Sequence, residues 1–344
     1  MRPTTCQQDQ RRERAIRMRS IYPKLDIAQR ESIQHSTQTP SESFAPRVTP
    51  LVHCKDLSRR TGRNVFAKCE FLQTSGSFKY RGALAVAARE VGYGRTTLVA
   101  SSTGNFGIGL ATAAPKLGAR AVIFVPSSIP PRKLHILEAL GAEVQGCSPA
   151  GQFASGPSTP QSMARRYAQA HNHSLVSPYD DPAIIEANLA LFLEVEQQLR
   201  ALRHDTYHFA VPVGGGSLLA AAAIASARHR FRGIAVGVEP RGHSDFRRSL
   251  SSVVPRKNGC RARPTICDAL TAIEPGKIPL RVVRNYLGRV RIQVASDKEV
   301  MYWKDILDRD LGSRIEPSSA AAACGILFSR PGDNVIIVVT GGNT

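Results

Sequence analysis

The sequence has no apolar run long enough to cross a membrane. Its most hydrophobic stretches, AVIFV, NVIIVV and HFAVPVG, are short, whereas a membrane-spanning helix needs about 20 consecutive apolar residues. The N-terminal MRPTTCQQDQRRERAIRMRS carries acidic residues among its arginines, and no apolar segment follows it. It therefore does not look like a secretory signal. We expect a soluble protein.

Paired cysteines are also lacking. None of the seven cysteines forms a CxxC motif, and their odd number leaves at least one thiol unpaired. Disulfides are rare in reducing compartments, so free cysteines are typical of cytosolic proteins. We therefore predict a cytoplasmic location.

Acidic residues are few, with 27 against 46 lysines and arginines, which gives a formal net charge of +19. Such a charge is often found in proteins that bind nucleic acid. Here the basic residues are dispersed in small clusters with few aromatic residues between them, and no zinc-finger, basic-zipper or RNA-recognition motif occurs. We therefore do not expect nucleic-acid binding. A non-catalytic basic binding protein is the alternative from another class.

From about residue 46 onward, β-branched segments alternate with alanine-rich helical segments. Residues 1–45 are polar without sustained periodicity, which predicts a disordered tail. The predicted strands are NVFAK, TTLVAS, RAVIFVP, AEVQG, SLVSP, YHFAVPVG, GIAVGVEP and NVIIVVTGG. The alternation predicts an α/β fold with mostly parallel sheets flanked by helices, one of them beginning near Gly76. Ligands of such sheets bind outside the carboxyl ends of the strands.

Three consecutive glycines, Gly214, Gly215 and Gly216, follow a predicted strand and lead directly into a helix. Glycines let backbone N–H groups approach an anion closely, and a helix N-terminus adds positive partial charge. The loop lacks both the GK[ST] of the nucleotide P-loop and the GxGxxG spacing of dinucleotide sites. We predict a phosphate site here, with a hydroxyl from Ser217. A glycine turn without a ligand is the alternative.

A second polar loop follows the strand TTLVAS. Ser102, Thr103 and Asn105 surround Gly104 where the next helix is predicted to start. Hydroxyl, amide and backbone N–H donors at a helix start suit a carboxylate. An ordinary helix cap explains the same residues equally well.

Two further residues, Lys79 and Thr340, gain meaning only from their context. A buried lysine has a lowered pKa and becomes a nucleophilic amine, but a lone lysine on a helix is more often a solvated charge. Thr340 ends the last predicted strand, where a hydroxyl can hydrogen-bond a heteroatom without bringing charge. Neither residue alone assigns a function.

In this order, the four loops resemble those of the pyridoxal-phosphate enzymes of the tryptophan synthase β superfamily, or fold type II. The threonine dehydratase and serine racemase branch is the most similar. KCEFLQTSGSFKYRGA resembles its lysine motif, SSTGNFG its asparagine loop, VGGGSL its phosphate loop and TGGN the segment that meets the pyridine nitrogen. VGVEP, TICDAL and IEPSSAAA are similar to further family segments. The resemblance runs from about Val48 to the C-terminus.

The resemblance implies pyridoxal 5'-phosphate as the cofactor and assigns roles to residues of the four loops. It implies that Lys79 is the Schiff-base lysine and the catalytic base. The implied cofactor-binding residues are Phe78, Lys79, Asn105, Gly214, Gly215, Gly216, Ser217 and Thr340. The implied binding residues for the substrate carboxylate are Ser102, Thr103, Gly104 and Asn105. A divalent cation is implied at Glu239 and Asp245, although an ordinary surface position is the simpler interpretation of Asp245.

The resemblance also implies two lobes with the cofactor in the cleft between them. Residues 46–96 and 175–344 would form a large cofactor-binding domain, and residues 97–174 a small mobile substrate domain. A homodimer is expected by the same analogy. Since no regulatory domain follows Thr344 in this sequence, we expect no feedback control of the isoleucine-pathway kind.

Departures from the family pattern bear on the reaction. Thr103 stands where serine racemases carry a serine as second proton carrier, and Phe106 replaces a frequent histidine, which argues against racemisation. The segment ANLA at 187–190 replaces Gly-Gln-Gly-Thr, so substrate identity does not carry over. We predict a lyase that eliminates water from a threonine- or serine-type amino acid, giving a 2-oxo acid and ammonia. The alternatives are a β-replacement synthase, a threonine synthase-like enzyme and an amino-acid racemase.

Overall fold

The protein contains two β-sheets with helices on their faces, as shown by a computed structural model. The structure describes residues 44–102, 104–147, 159–199, 207–228, 233–252, 254–257 and 262–344. Thr103 and almost all of the predicted N-terminal tail therefore lie outside the described residues. The predicted α/β class is confirmed.

The larger sheet has the strand order β1-β2-β10-β7-β8-β9 and is parallel except for the β1–β2 pair. The smaller sheet has the order β5-β4-β3-β6 and is parallel throughout. The strands are β1 (Leu51–His53), β2 (Asn64–Cys69), β3 (Thr97–Ser101), β4 (Arg120–Pro126), β5 (Glu143–Cys147), β6 (Ser174–Leu175), β7 (Tyr207–Pro212), β8 (Ala235–Pro240), β9 (Val290–Ala295) and β10 (Asn334–Val339). The strands of the smaller sheet lie in the segment predicted as the substrate domain, plus Leu175. The division into a fixed and a mobile domain stays a prediction.

Helices connect most of the parallel strands. They are α1 (Lys55–Thr61), α2 (Lys79–Gly92), α3 (Asn105–Ala113), α4 (Pro131–Ala139), α5 (Pro160–Ala170), α6 (Pro182–Gln198), α7 (Ser217–Ser226), α8 (Asp245–Leu250), α9 (Lys277–Arg284), α10 (Asp297–Leu311) and α11 (Pro317–Ala320). Short 3-10 segments span Glu70–Leu72, Pro115–Leu117, Asp268–Leu270, Leu287–Arg289 and Ala321–Phe328. Within the described ranges, no helix has both the length and the apolar character needed to cross a membrane.

Several helix starts follow from local sequence. Asp181 accepts a hydrogen bond from the backbone N–H of Ala183 and so caps α6, which has proline at its first position. Ser296 and Glu299 form a reciprocal capping box at the start of α10. Local side chains therefore fix where these helices begin.

Strand β9 was not predicted from the sequence. It lies at an edge of the larger sheet, and only Val290 and Ala295 at its ends are buried, while Arg291 is exposed. Because its apolar residues alternate with polar ones, it lacks the continuous apolar run that is typical of buried parallel strands. The period-two alternation of its side chains was the sequence signal from which β9 could have been predicted.

Alternate residues of the central strand β10 pack into the hydrophobic cores on the two faces of the larger sheet. Ile336 and Val338 pack with helices α6 and α7, while Val335, Ile337 and Val339 pack on the opposite face with the Ala321–Phe328 segment. Successive side chains of a strand point to opposite faces, so one apolar strand contributes to two cores. All ten residues of α7 are buried.

A network of buried charges joins β2, α2 and α6. Arg81 donates to both carboxylate oxygens of Glu70 at 2.8 Å and to both oxygens of Glu194 at 2.7 and 2.9 Å. Lys68 donates to Glu194 at 2.6 Å and to the backbone oxygen of Thr49 at 2.7 Å. Because each charge is paired and hydrogen-bonded, the network can remain in the interior.

We expect replacement of Arg81 by methionine to destabilise the protein strongly. The change leaves Glu70 in the interior without a counter-charge and Glu194 with Lys68 as its remaining partner, and breaking a buried ion pair in this way typically costs about 3–5 kcal/mol. Denaturant unfolding measures the loss. Arg59→Met is the matched control, because Arg59 pairs with Asp56 at the surface and its side chain is 78% exposed. Equal unfolding midpoints for the two variants would contradict the prediction.

Candidate active site

A cleft opens where the strands of both sheets end. Ser101 and Pro126 at the ends of β3 and β4 line it from one side, and Pro212 at the end of β7 lines it from the other. The structure brings most of the predicted site residues to this cleft, namely Phe78, Lys79, Ser102, Asn105, Gly214, Gly215, Gly216, Ser217 and Thr340. Gly104, Glu239 and Asp245 do not line it, and Thr103 lies outside the described residues.

Backbone hydrogen bonds place Lys79 beside Thr340. The N–H of Phe78 donates to the carbonyl oxygen of Thr340 at 2.9 Å, and the N–H of Gly342 donates to the carbonyl oxygen of Gly76 at 3.0 Å. Because these bonds hold the preceding residues against the C-terminal loop, α2 begins at Lys79. The prediction that this helix starts near Gly76 was wrong by three residues.

The side chain of Lys79 is partly buried, and its Nζ donates to the carbonyl oxygen of Pro178 at 3.1 Å. The ring of Phe78 lies 5.0 Å from the same nitrogen. Burial lowers the pKa of Lys79 to about 8, because removal from water disfavours the charged form. A lysine amine is nucleophilic only when neutral, so Lys79 has a much larger nucleophilic fraction near neutral pH than an exposed lysine has.

The glycine loop packs tightly beneath the cleft. A side chain at Gly215 would collide with the ring of Tyr179, and one at Gly216 would collide with the ring of Phe246. Gly216 also has a φ of 95°, which favours glycine. The first turn of α7 follows at once, and its N–H groups have no acceptor within the helix. Absence of side chains therefore leaves these donors accessible to an anion in the cleft.

The sequence did not identify Asn188 as a neighbour of the glycine loop. It is buried on α6, and its Nδ2 donates to Ser217 Oγ at 3.4 Å. Asn188 belongs to the ANLA segment, which was noted only for what it lacks. Its contact with Ser217 could not be inferred because the two residues meet only when α6 packs on α7.

The loop before α3 combines a helix cap with a cleft wall. Ser102 Oγ accepts hydrogen bonds from the N–H groups of Gly104 at 3.1 Å and Gly107 at 3.0 Å. The Nδ2 of Asn105 donates to Glu316 at 2.7 Å, and its Oδ1 accepts from Asn343 at 3.0 Å. The capping interpretation therefore applies to the Ser102 hydroxyl, and carboxylate binding by this loop stays a prediction.

A pair of hydroxyl groups occupies the end of β10. Thr340 Oγ1 lies 3.0 Å from Ser319 Oγ, which also accepts from the N–H of Gly341 at 2.7 Å. No carboxylate lines the cleft among the residues that the structure describes. A heteroatom placed beside Thr340 would thus meet a neutral hydroxyl.

The predicted divalent-cation site is not supported. Both carboxylate oxygens of Glu239 accept backbone hydrogen bonds, from Phe246 at 2.8 Å and Arg247 at 3.0 Å. Burial, followed by the charge of Asp245, raises the pKa of Glu239 to about 8. No cluster of three or more metal-ligating side chains occurs in the described part of the chain. Asp245 is buried, so its assignment to the surface was also wrong.

Known proteins resemble this chain over most of its length. A family model described as pyridoxal-phosphate dependent enzyme matches residues 42–341, a range that contains the first three loops and Thr340 of the fourth. The biosynthetic L-threonine dehydratase of Corynebacterium glutamicum is 28% identical over 327 residues, covering 92% of this chain and 72% of that protein. The serine racemase of Homo sapiens is 34% identical over 181 residues, covering 52% of this chain and 50% of that protein.

The fold is likewise similar to a solved structure. The crystal structure of a threonine deaminase from T.th. has a TM-score of 0.76 to this chain at 27% sequence identity. The similarity covers 91% of this chain and 98% of that one. The two sheets and the cleft between them therefore belong to a known architecture.

We expect Gly216→Ala to impair anion binding at the glycine loop. The added methyl group would strain a residue with positive φ, at about 1–2 kcal/mol, and collide with Phe246. Titration of the purified protein with pyridoxal phosphate should show at least about a tenfold weaker affinity, since a shift of about 1.4 kcal/mol is tenfold. Gly312→Ala is the control, because Gly312 has a φ of 60° but open space around it. Unchanged affinity in Gly216→Ala would exclude this loop as the phosphate site.

The lowered pKa of Lys79 predicts how its reaction with an aldehyde depends on pH. Since only the neutral amine attacks, the rate at which apoprotein takes up pyridoxal phosphate should rise with pH. It should reach half of its plateau near pH 8, because the pKa of Lys79 is about 8. Stopped-flow absorbance measures this rate. A half-point at the pH expected for an exposed lysine would contradict the desolvation of Lys79.

Proposed function

The chain belongs to the family of pyridoxal-phosphate dependent enzymes, and on that premise we propose that it is an ammonia-lyase. Its substrate would be an uncharged β-hydroxy amino acid, serine or threonine, which loses water and yields a 2-oxo acid and ammonia. The observation that carries the proposal is the amine of Lys79, whose pKa is lowered by desolvation and which faces the same cleft as the glycine loop and Thr340. The 28% identical threonine dehydratase supports the reaction type.

The residues of the cleft fit pyridoxal phosphate. Lys79 would hold its aldehyde, the loop from Gly214 to Ser217 its phosphate, Asn105 its phenolic oxygen and Thr340 its ring nitrogen. The neutral amine and the accessible N–H groups of α7 are the groups that an aldehyde and a phosphate require. When bound, the cofactor supplies the electron sink for the electron pair left at the substrate Cα.

The chain itself supplies position and proton transfer. A general base works best when its pKa lies near the working pH, and the lowered pKa of Lys79 meets that condition for removal of the Cα proton. The hydroxyl of Ser102 and the backbone N–H of Asn105 would bind the substrate carboxylate and so orient the Cα–H bond. The neutral hydroxyl of Thr340 would not hold a ring nitrogen protonated. This favours prompt loss of the β-hydroxyl as water.

The cleft wall favours an uncharged substrate side chain. Phe106, Pro126, Pro160 and Gln161 line the side contributed by the smaller sheet. Within the described ranges, the cleft is lined by no arginine, histidine, aspartate or glutamate, and by no lysine except Lys79. A second substrate carboxylate, as in 3-hydroxyaspartate, would be buried there without a counter-charge, which is costly. We therefore place serine and threonine above hydroxyaspartate.

The test is to incubate the protein and pyridoxal phosphate with L and D forms of serine, threonine and 3-hydroxyaspartate and to measure 2-oxo acid. We expect kcat/KM for serine or threonine to exceed that for hydroxyaspartate about 100-fold, a ratio within the range that binding sites achieve. Lys79→Ala should abolish the product and the visible absorbance of lysine-bound cofactor. Lys304→Ala, on the distant helix α10, is the control.

Other outcomes would overturn the proposal in distinct ways. Incorporation of added nucleophiles at Cβ without 2-oxo acid would indicate a β-replacement or threonine synthase-like enzyme. Inversion of the amino acid without elimination would indicate a racemase. Absence of cofactor absorbance in the wild-type protein, together with salt-sensitive binding to nucleic acid, would indicate the basic binding protein.

Location and assembly complete the proposal. We place the enzyme in the cytoplasm, which is supported by five buried free cysteines in the described ranges. Burial raises the pKa of Cys69 to about 12, so this thiol is protonated and unreactive at neutral pH. A homodimer is proposed by family analogy alone.

A further inference from the structure

A buried cluster of charges lies directly behind the cleft. Lys133 on α4 places its Nζ 2.6 Å from Asp268 Oδ2 and 3.0 Å from Glu316 Oε1. The other carboxylate oxygen of Glu316 accepts the hydrogen bond from Asn105. Side chains of Lys133 and Glu316 are only 3% and 2% exposed. None of the three charged residues lines the cleft, whereas Asn105, which is hydrogen-bonded to Glu316, does.

The charges of the cluster depend on one another. Burial lowers the pKa of Lys133, but the carboxylates of Glu316 and Asp268 outweigh this effect and the net shift is upward. Burial raises the pKa of Glu316; the charge of Lys133 opposes this effect, and the net shift is upward. Lys133 is therefore a charged lysine whose counter-ion is Glu316, in contrast to the unpaired Lys79.

The amide group of Asn105 is held from both sides. An ionised carboxylate can only accept, so the oxygen of Glu316 selects the nitrogen of Asn105. On the other side, Asn343 donates to the amide oxygen at 3.0 Å, and it also donates to the carbonyl oxygen of Ser75 at 3.1 Å. The carbonyl oxygen of Ser75 can only accept a hydrogen bond, so the atom of Asn343 beside it must be the amide nitrogen. The orientation of the Asn343 amide is therefore fixed as well. The amide of Asn105 thus has one orientation.

Lys133 also contacts the turn that begins α3. A side chain at Gly104, whose φ is 142°, would collide with the aliphatic stem of Lys133. Lys133 therefore covers the residue before Asn105 while its ammonium group pairs with Glu316. The same side chain connects a helix beside the smaller sheet with α11 and the Asp268–Leu270 segment.

We propose that Lys133 and Glu316 are positioning residues for Asn105. Their ion pair fixes the amide so that one N–H of Asn105 bonds Glu316 and the second is left for an acceptor in the cleft. Under the proposed function, on which this inference rests, that acceptor is the phenolic oxygen of pyridoxal phosphate.

Paired substitutions separate positioning from simple charge balance. In Glu316→Gln, the glutamine amide can donate as well as accept, so Asn105 is no longer held in one orientation. We expect about a tenfold weaker affinity for pyridoxal phosphate, within the range of coupling between contacting residues, and a shifted absorbance of the bound cofactor. Lys133→Met leaves Glu316 buried without its counter-ion and should lower both the Tm and the affinity.

The double variant K133M/E316Q gives the decisive comparison. It removes the unpaired charge, so its Tm should recover relative to Lys133→Met, while cofactor affinity and absorbance stay as in Glu316→Gln. Recovery of the affinity together with the Tm would show a merely structural role and overturn the proposal. Lys304→Met, which breaks the Lys304–Asp308 pair on α10, is the matched control and should change neither cofactor property.

A second comparison asks whether Glu316 acts through Asn105. In an Asn105→Ala background, Glu316→Gln should cause no further loss of cofactor affinity. An undiminished tenfold loss in that background would overturn the proposal. If the wild-type protein itself shows no lysine-bound cofactor absorbance, the proposed function fails and this inference fails with it. If the wild type binds the cofactor and Glu316→Gln binds it equally well, only this inference fails.

Discussion

The bidentate pairing of Arg81 with Glu70 and Glu194 is the interaction on which the site depends. Arg81 follows Lys79 by two residues, and its pairing anchors α2 to the turn after β2 and to α6. The backbone bond from Phe78 to Thr340 then fixes the residue before Lys79. The reactive amine is thus positioned by groups on both sides of it, without a partner charge of its own.

The presence or absence of carboxylate partners explains why the pKa values of two desolvated lysines, Lys79 and Lys133, shift in opposite directions. Lys133 lies between two carboxylates, and its pKa is raised. Lys79 has a carbonyl oxygen as its hydrogen-bond acceptor, and burial lowers its pKa to about 8. The same loss of hydration therefore gives a structural cation where carboxylates surround the amine and a nucleophile where they do not. Reactivity follows from the missing counter-charge.

The four loops could be found from the sequence because each is a short run of residue types with its own local chemistry. The α/β class was predicted correctly, and Lys79, Asn105, the glycine loop and Thr340 all line one cleft, while their roles in binding stay predictions. The cation site failed because both oxygens of Glu239 serve as a cap for α8. The reason for glycine at position 216 was also not visible, since the ring of Phe246 reaches it only after folding.

By itself, the sequence determined most of the strands and helices and which loops carry donors, because periodicity and glycine runs act over a few residues. Tertiary structure alone decided which side chains are deprived of water and which of them are paired. Asn105 and Glu316 are 211 positions apart in the chain, and no local pattern connects them. The pKa of Lys79 likewise depends on burial by the rest of the fold, because desolvation is a property of the packed surroundings rather than of the neighbouring sequence.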